Sequence, residues 1–320
     1  MRSVNRLALV MATAALAACG DYSTEDLRFL VALPTQDDLR VEVPAQAGGA
    51  PGALAACTGG TADVWLRAKP TSDELNASVA FVLGLVDTVR RVPPSVREQD
   101  VRGWGPWDDE RHPGRELRVF IFRTYPEELA GAPRHAYAFQ ARVKGTPDDW
   151  TTILAGTFDG ASASRGEGIL LLDFDAIRAV GLDDLDTPSG TELVRYDRGA
   201  EPVTVEIILG HEGFGVVDFG YQYAGWADGT GWFAYAFRNP TGDLFMVGAG
   251  FDAAGAGDAQ IVFQTAGGFT GGYRHCWNAE ACLVHVLDPG NYSCATPPCS
   301  FGEASACPAV PSSPFPPPPP

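Results

Sequence analysis

The chain has 320 residues, of which 45% are hydrophobic and 20% are charged, and its formal net charge is −17 at pH 7. Such an acidic protein repels phosphate backbones and anionic lipid headgroups, which argues against nucleic acid as a partner. The 37 glycines and 25 prolines favour a turn-rich β protein, and the length suffices for one large or two small domains.

The amino terminus has the pattern of an export signal. Arg2 and Arg6 precede an apolar run of about a dozen residues, too short to cross a bilayer. The run ends in LAAC, whose cysteine is Cys19, and this motif resembles the bacterial lipobox, in which the chain is cut before an acylated cysteine. The alternative is an ordinary Ala-x-Ala signal peptide that leaves Cys19 as a structural thiol.

The lipobox resemblance implies that residues 1–18 are a signal peptide and that the mature chain starts at a lipidated Cys19. Fatty chains such as palmitate form a durable anchor, because each buried methylene contributes about 0.8 kcal/mol. Gly20, rather than an aspartate, follows the cysteine, which by analogy favours the outer membrane, at its periplasmic or cell-surface side. Loss of residues 1–18 removes two arginines and leaves 21 basic and 40 acidic side chains, a net charge of −19.

Residues 19–60 combine an apolar strand-like piece, LRFLVALP, with a stretch rich in Ala, Gly and Pro, which predicts a flexible tether. ADVWLRA then predicts a short strand. Residues 71–91 predict one helix, because Thr71 and Glu74 fit a capping box and valines recur three and four apart. The apolar stripe of this helix suits packing on a core, and an amphipathic membrane helix is the alternative.

Ten strand-length segments follow, each β-branched or aromatic and bounded by Gly, Pro, Asp or Asn. Short sequential connections imply antiparallel neighbours. We therefore expect a mainly β domain over residues 61–290, a large antiparallel meander curved into an open or closed barrel with the helix packed on it. A brief helical turn is expected at FDAIRAVG. The ten segments are 116–125, 135–144, 150–160, 168–175, 191–197, 203–209, 215–225, 231–239, 244–252 and 259–265.

Six further cysteines in an exported chain predict three disulfides. Cys276 and Cys282 are expected to pair across a short loop, with the others fixing the Cys-rich residues 291–320 and with Cys57 as a distant partner. The final PSSPFPPPPP predicts an extended polyproline tail, either solvated or a docking ligand. The six cysteines are Cys57, Cys276, Cys282, Cys294, Cys299 and Cys307.

Two groups of side chains offer metal ligands, although no cofactor is expected. His275, Cys276, Cys282 and His285 could bind zinc, but their spacing and an oxidising compartment favour a disulfide. The acidic loop after FDAIRAVG offers oxygen ligands for calcium without the EF-hand order, so a solvated loop is the default. The calcium candidates in that loop are Asp183, Asp184 and Asp186.

Aromatic residues crowd two adjacent predicted strands. Alternate residues of a strand share one side, so Phe233, Tyr235 and Phe237 are expected to point together, with a shallow opposite side. With Trp232 they are the candidates for an apolar ligand face, and core packing is the alternative.

Catalytic motifs of the common hydrolase families are absent from the sequence, so no catalytic residue is assigned. Strand-borne carboxylates could still be paired for glycoside hydrolysis, as in any acidic β protein. The four candidates are Asp159, Asp173, Glu206 and Asp218.

The order of lipobox, tether, helix and meander resembles the curved, incompletely closed barrels of periplasmic lipoprotein carriers. DDLDTPSGTELVRYDRGAEPVTVEI and FDAAGAGDAQIVFQTAGGFTGGYRHCWNAE resemble lipoproteins of myxobacteria, over residues 116–290, which have no assigned activity. These resemblances imply an outer-membrane lipoprotein and transfer no site residue. We expect a non-enzymatic envelope lipoprotein with a protein or lipid partner and an apolar ligand in the sheet; a lipid-anchored secreted hydrolase of esters, glycans or peptides is the alternative.

We predict that the protein takes up labelled palmitate and that the Cys19→Ser variant does not, because the serine hydroxyl cannot replace the acylated thiol. The variant should also remain an uncut precursor. Mass spectrometry of the amino-terminal peptide measures both effects. An unmodified mature amino terminus would instead support the ordinary signal peptide.

Overall fold

The computed structural model has one sheet of fourteen antiparallel strands, each paired with its neighbours in the sequence. Among the described residues no pairing joins the first strand to the last, so the sheet is open. The predicted mainly β antiparallel meander is confirmed. The structure describes residues 22–35, 39–44, 57–129, 132–162, 165–182, 189–213 and 216–315.

The strands are β1 (Val96–Arg97), β2 (Val101–Asp108), β3 (Arg115–Thr124), β4 (Arg134–Val143), β5 (Thr151–Ser162), β6 (Arg165–Asp173), β7 (Thr191–Asp197), β8 (Val203–Gly213), β9 (Val216–Gly225), β10 (Gly231–Arg238), β11 (Leu244–Phe251), β12 (Gly257–Gln264), β13 (Thr270–Trp277) and β14 (Leu283–Leu287). All ten predicted strands are present, as β3 to β12. The other four lack a clear alternation, since β2 contains GWGPW and β13 begins with TGG.

Three α-helices occur among the described residues: α1 (Thr24–Leu30), α2 (Asp63–Arg91) and α3 (Phe174–Ala179). α3 confirms the helical turn predicted at FDAIRAVG, and the Asp173 carboxylate caps it by accepting from the Ala176 amide at 2.8 Å. Within the described residues, no helix is both long enough and apolar enough to span a bilayer.

Two expectations about the helices are wrong. LRFLVALP, predicted as a strand, overlaps α1, and ADVWLRA, also predicted as a strand, begins α2 eight residues before its predicted start. α2 continues through Pro70, where a helix would usually end. Burial of its first turn explains the difference, because the Trp65 side chain is 1% exposed and stacks on Trp277 at a centroid distance of 5.7 Å. Tertiary packing here outweighs the local signal of the proline.

α2 connects the two ends of the open sheet across one face, which we call the inner face; the opposite face is the outer face. At its start, the Ala62 amide donates to the Ala281 carbonyl, between β13 and β14, at 2.9 Å. At its end, the Trp104 indole of β2 donates to the Val92 carbonyl at 2.8 Å. A helix of 29 residues is about 43 Å long, which suffices for this span.

The segment that the sequence predicts as a tether contributes to the inner-face core instead. Phe29, Leu33 and Leu39 have no exposed surface. Full burial of such a side chain contributes about 1.5–3 kcal/mol, which a solvated tether would not gain. The tether prediction is therefore wrong for residues 22–35 and 39–44. Cys57, near its end, is held by a disulfide to Cys282, and residues 19–21, 36–38 and 45–56 lie outside the described residues.

A buried ion pair fixes α1 to the sheet. Asp26, which forms a capping box with Ser23, accepts from Arg102 Nε at 2.6 Å. Burial raises the pKa of Asp26, but hydrogen bonds from Ser23 and Arg102 outweigh this and lower the pKa to about 2. The Phe29 ring lies between the guanidinium groups of Arg102 and Arg123, each 4.7 Å from its centroid. The buried ion pair of Asp26 and the packing of Phe29 thus both hold α1 on the sheet.

Five hairpin turns recur every thirteen residues, at 226–230, 239–243, 252–256, 265–269 and 278–282. In each turn, the amide of the first residue donates to the carbonyl of the fifth residue, and the amide of the fourth residue donates to the carbonyl of the first. The N···O distances are 2.9–3.0 Å. The fourth residue has a positive φ and is glycine in four turns and alanine in the last. These turns keep β9 to β13 in a constant register, and a bulge shifts the register between β13 and β14.

The six cysteines of the folded region form three disulfides, as predicted: Cys57–Cys282, Cys276–Cys307 and Cys294–Cys299. The predicted Cys276–Cys282 bridge is wrong, because the β13–β14 hairpin pairs Cys276 with His285 and leaves Cys282 at the turn. Cys57 is the distant partner that the sequence indicated.

The Cys276–Cys307 disulfide leads into a C-terminal segment that lies on the outer face. Ser313 Oγ donates to the Phe233 carbonyl at 3.1 Å. The Pro311 carbonyl oxygen would lie 2.0 Å from a Cβ at Gly250, so only glycine fits there. The solvated tail is thus wrong for residues 311–313, and residues 316–320 lie outside the described residues.

We predict that Gly242→Ala lowers the free energy of unfolding by about 1 kcal/mol, because Gly242 has a φ of 88° in its turn. The added methyl would meet Ala266 Cβ at 3.5 Å, an ordinary contact, so the cost is in the backbone. Gly220→Ala in β9, whose φ is not in the left-handed region, is the control and should change stability little. Urea unfolding with intact disulfides measures both, and equal effects would contradict the assignment.

Candidate functional site

The outer face has a groove where β4 begins. Directly paired residues of antiparallel strands point to the same face, so they form rows across the sheet. Two consecutive rows form the floor of the groove, whose volume is about 710 Å³. The first row contains Arg134, Asp159, Glu167, Asp197, Thr204 and Trp232. The second row contains Thr157, Ile169, Arg195, Glu206 and Gln222.

A two-bond ion pair fixes one end of the groove. Arg134 Nε donates to Asp159 Oδ1 at 2.7 Å, and Arg134 Nη2 donates to Asp159 Oδ2 at 2.6 Å. Parallel bonds of this kind hold both planar groups in one orientation. The pair joins β4 to β5 and presents rigid polar groups to the groove.

A second polar cluster crosses β7, β8 and β9. Arg195 Nη1 donates to Glu206 Oε2 at 2.5 Å, and Gln222 Nε2 donates to Glu206 Oε1 at 2.9 Å. Both oxygens of the Glu206 carboxylate are therefore engaged. Because a guanidinium has five N–H donors and an amide also has an acceptor, these side chains can still hydrogen-bond a ligand.

Trp232 lines the groove beside the C-terminal segment. Its cross-strand neighbour Gly250 is the residue on which the Pro311 backbone rests. The segment therefore borders the groove next to the Trp232 indole. The Cys276–Cys307 disulfide, which precedes the segment, holds this border in place.

Tyr223 connects the groove to the inner side of the sheet. It lines both the groove and a second cavity of about 380 Å³ between α2 and residues 40–44. Its hydroxyl donates to the Glu42 carbonyl at 2.9 Å. Burial and the Glu42 carboxylate raise the pKa of Tyr223 to about 12, so the phenol stays neutral. A hydrogen bond thus connects the floor of the groove to residues 40–44.

The groove has four carboxylates and two guanidinium groups, so its formal charge is −2. That charge disfavours phosphate and other anions. Among the residues that the structure describes, no group of three or more metal ligands occurs.

The calcium candidates Asp183, Asp184 and Asp186 lie outside the described residues. Of the zinc donors considered, Cys276 and Cys282 belong to different disulfides. Neither sulfur is a thiolate, so the four residues form no zinc site.

The predicted apolar ligand face is divided between the two sides of the sheet. Phe233, Tyr235 and Phe237 share the inner face as expected, but Trp232 points to the outer face. The Phe233 ring is 1% exposed and stacks on Tyr221, with centroids 6.4 Å apart, so this ring is core. Tyr235 and Phe237 are half-buried.

Two of the four carboxylates considered for hydrolysis, Asp159 and Glu206, do line the groove. The other two lie elsewhere, since Asp173 caps α3 and Asp218 is 3.9 Å from Arg238. Asp159 and Glu206 each accept hydrogen bonds from an arginine. This arrangement suits fixed hydrogen-bonding groups better than the proton donor and acceptor that hydrolysis needs.

The sequence analysis did not predict the groove. Alternation identifies the outward residues of each strand, but the alignment of rows depends on register, which the turns set. Charges of opposite sign on successive strands, such as Arg195 and Glu206, are the signal that would have indicated cross-strand pairs.

No protein-family model, curated protein or solved structure matches this chain. Its class is therefore defined by its own fold and site. It is an open antiparallel meander whose inner face is covered by α1, residues 39–44 and α2, and whose outer face has a polar groove.

The groove strand β4 also carries a buried histidine, His135, on its inner side, where Phe29 packs on the imidazole edge to face at 5.8 Å. Burial, together with the positive Arg123, lowers the pKa of His135 to about 4, and burial lowers the pKa of His275 to about 4. Both imidazoles are thus neutral in the folded protein at pH 5, whereas unfolded histidines titrate near 6.5.

We predict that stability falls as the pH decreases from about 6.5 to 4, because only the unfolded chain takes up these two protons. Each histidine contributes up to about 3 kcal/mol to this loss. Replacing His135 with Phe should reduce the slope of unfolding free energy against pH in that window and leave the slope above pH 7 unchanged. The same slope in the variant would show that the folded protein also binds this proton.

Proposed function

We propose that this protein is a non-enzymatic lipoprotein of the bacterial cell envelope that binds a saccharide in the outer-face groove. The observation that carries the proposal is the pair of polar rows beside Trp232, in which arginine–carboxylate and amide–carboxylate pairs are held rigidly. The groove volume of about 710 Å³ is in the range of small-molecule sites.

Saccharide chemistry fits these groups. A sugar hydroxyl is both a donor and an acceptor, so it can donate to the carboxylates of Asp159 and Glu206 and accept from the guanidinium of Arg195. The apolar C–H face of a sugar ring can pack on the Trp232 indole. A neutral polyol also avoids the repulsion that the charge of the groove exerts on anions.

The envelope location rests on the lipobox and on the disulfides. Acylated Cys19 would anchor the protein to the outer membrane, at the periplasmic or the cell-surface side, and three disulfides suit an oxidising compartment. Saccharides are abundant on both sides of that membrane. A lipid held against the inner-face rings has less support, because Phe233 is already packed in the core.

The experiment is a glycan array probed with the mature chain, followed by titration calorimetry with the best saccharide. We expect Trp232→Ala to weaken binding about tenfold, which corresponds to about 1.4 kcal/mol. Gln222→Ala should weaken binding as well, because it removes a ligand-facing amide. Phe269→Ala, which removes an exposed ring outside the groove, is the control and should bind normally.

Absence of saccharide binding by the unmodified chain, or normal binding by Trp232→Ala, would overturn the groove assignment. Release of cleaved saccharide during the titration would instead support the hydrolase alternative. Co-purification of a lipid that leaves on denaturation would favour the apolar ligand.

A further inference from the structure

α1 exposes apolar side chains on the side that faces away from the sheet. Leu27 is 51% exposed and Val31, one turn later, is 39% exposed. The opposite side of the helix is fixed by buried Asp26 and Phe29, as described above. The orientation of α1 is therefore set by the core, and its two exposed apolar residues share one side of the helix.

A third exposed apolar group lies beside α1. Tyr125 is 57% exposed, and its ring is 5.6 Å from the guanidinium of Arg123. That guanidinium also hydrogen-bonds Glu25 in the first turn of α1. We define Leu27, Val31 and Tyr125 as the α1 surface.

Covalent geometry limits how far this surface can lie from the anchor. Only three peptide units separate Cys19 from Tyr22, the first described residue, so the two Cα atoms are at most about 11 Å apart. Tyr22 is itself hydrogen-bonded to the end of α2, because its hydroxyl donates to the Arg90 carbonyl at 3.0 Å. A lipid attached at Cys19 therefore brings the start of α1 to the bilayer.

We infer that the α1 surface contacts the bilayer, with Leu27 and Val31 in the headgroup region and Tyr125 at the interface. This inference rests on the proposed acylation of Cys19. Aliphatic side chains gain by entering that region, and tyrosine is enriched there. The covalent anchor is needed, because the acidic body alone repels anionic lipids.

The experiment uses amide hydrogen exchange to compare acylated protein in phosphatidylcholine vesicles with unacylated Cys19→Ser protein in solution, produced without residues 1–18 so that no signal segment remains. We expect exchange in residues 22–35 to slow at least fivefold in the vesicles. Exchange in α3, a short helix elsewhere in the fold, should not change.

The acylated double variant Leu27→Asp, Val31→Asp should stay bound to vesicles but lose the slowing. Leu287→Asp, Val143→Asp is the matched control, because these residues are 53% and 44% exposed and lie outside the α1 surface. The control should keep the slowing. Unchanged exchange in α1, or equal slowing in the Leu27 and Val31 variant, would overturn the inference.

Sedimentation with vesicles distinguishes a failure of acylation from a failure of the α1 surface to contact the bilayer. Protein that carries no acyl chain will not sediment with vesicles, and that result contradicts the proposed anchor. In that case the Cys19 thiol is coupled to a maleimide lipid and the exchange measurement is repeated. Slowing in the coupled protein would support the α1 surface, and its absence would contradict it.

Discussion

The inner face of the open sheet is apolar and has to be covered by other parts of the chain. A fourteen-stranded sheet that does not close on itself exposes a row of large apolar side chains unless other elements pack on them. In this chain α1, α2 and residues 39–44 supply that cover. The Trp65 indole, packed on Trp277, and the Trp104 indole, bonded to Val92, fix the two ends of α2. These described parts of the amino-terminal region are thus part of the core.

This cover leaves the outer face free for polar groups. Along β4, Arg134 points outward to its ion pair while the next residue, His135, points inward to Phe29. The alternation of one strand therefore supplies core packing on one side and polar groups of the groove on the other. The hairpin turns that recur every thirteen residues extend the same division through β9 to β13, because a slip of one residue would exchange the two faces.

The sequence was sufficient to predict the strands that alternate, and all ten were found. It was not sufficient at the sheet edges, where β2 contains GWGPW and no alternation. The helix start was misplaced because Thr71 and Glu74 fit a capping box, whereas the burial of Trp65 that starts α2 earlier depends on distant strands. Distant contacts also decide the disulfides, since the register of β13 and β14 determines which sulfur can reach Cys276.

The candidate site shows the same limit more strongly. Each groove residue has an ordinary pattern within its own strand, and only pairing across seven strands brings Arg134 and Trp232 into one groove. The prediction that Phe233, Tyr235 and Phe237 share one side of the sheet was correct, but that side is the inner face, where α2 and residues 39–44 pack. Composition located the aromatic residues; the cover of the inner face determined which of them a ligand can reach.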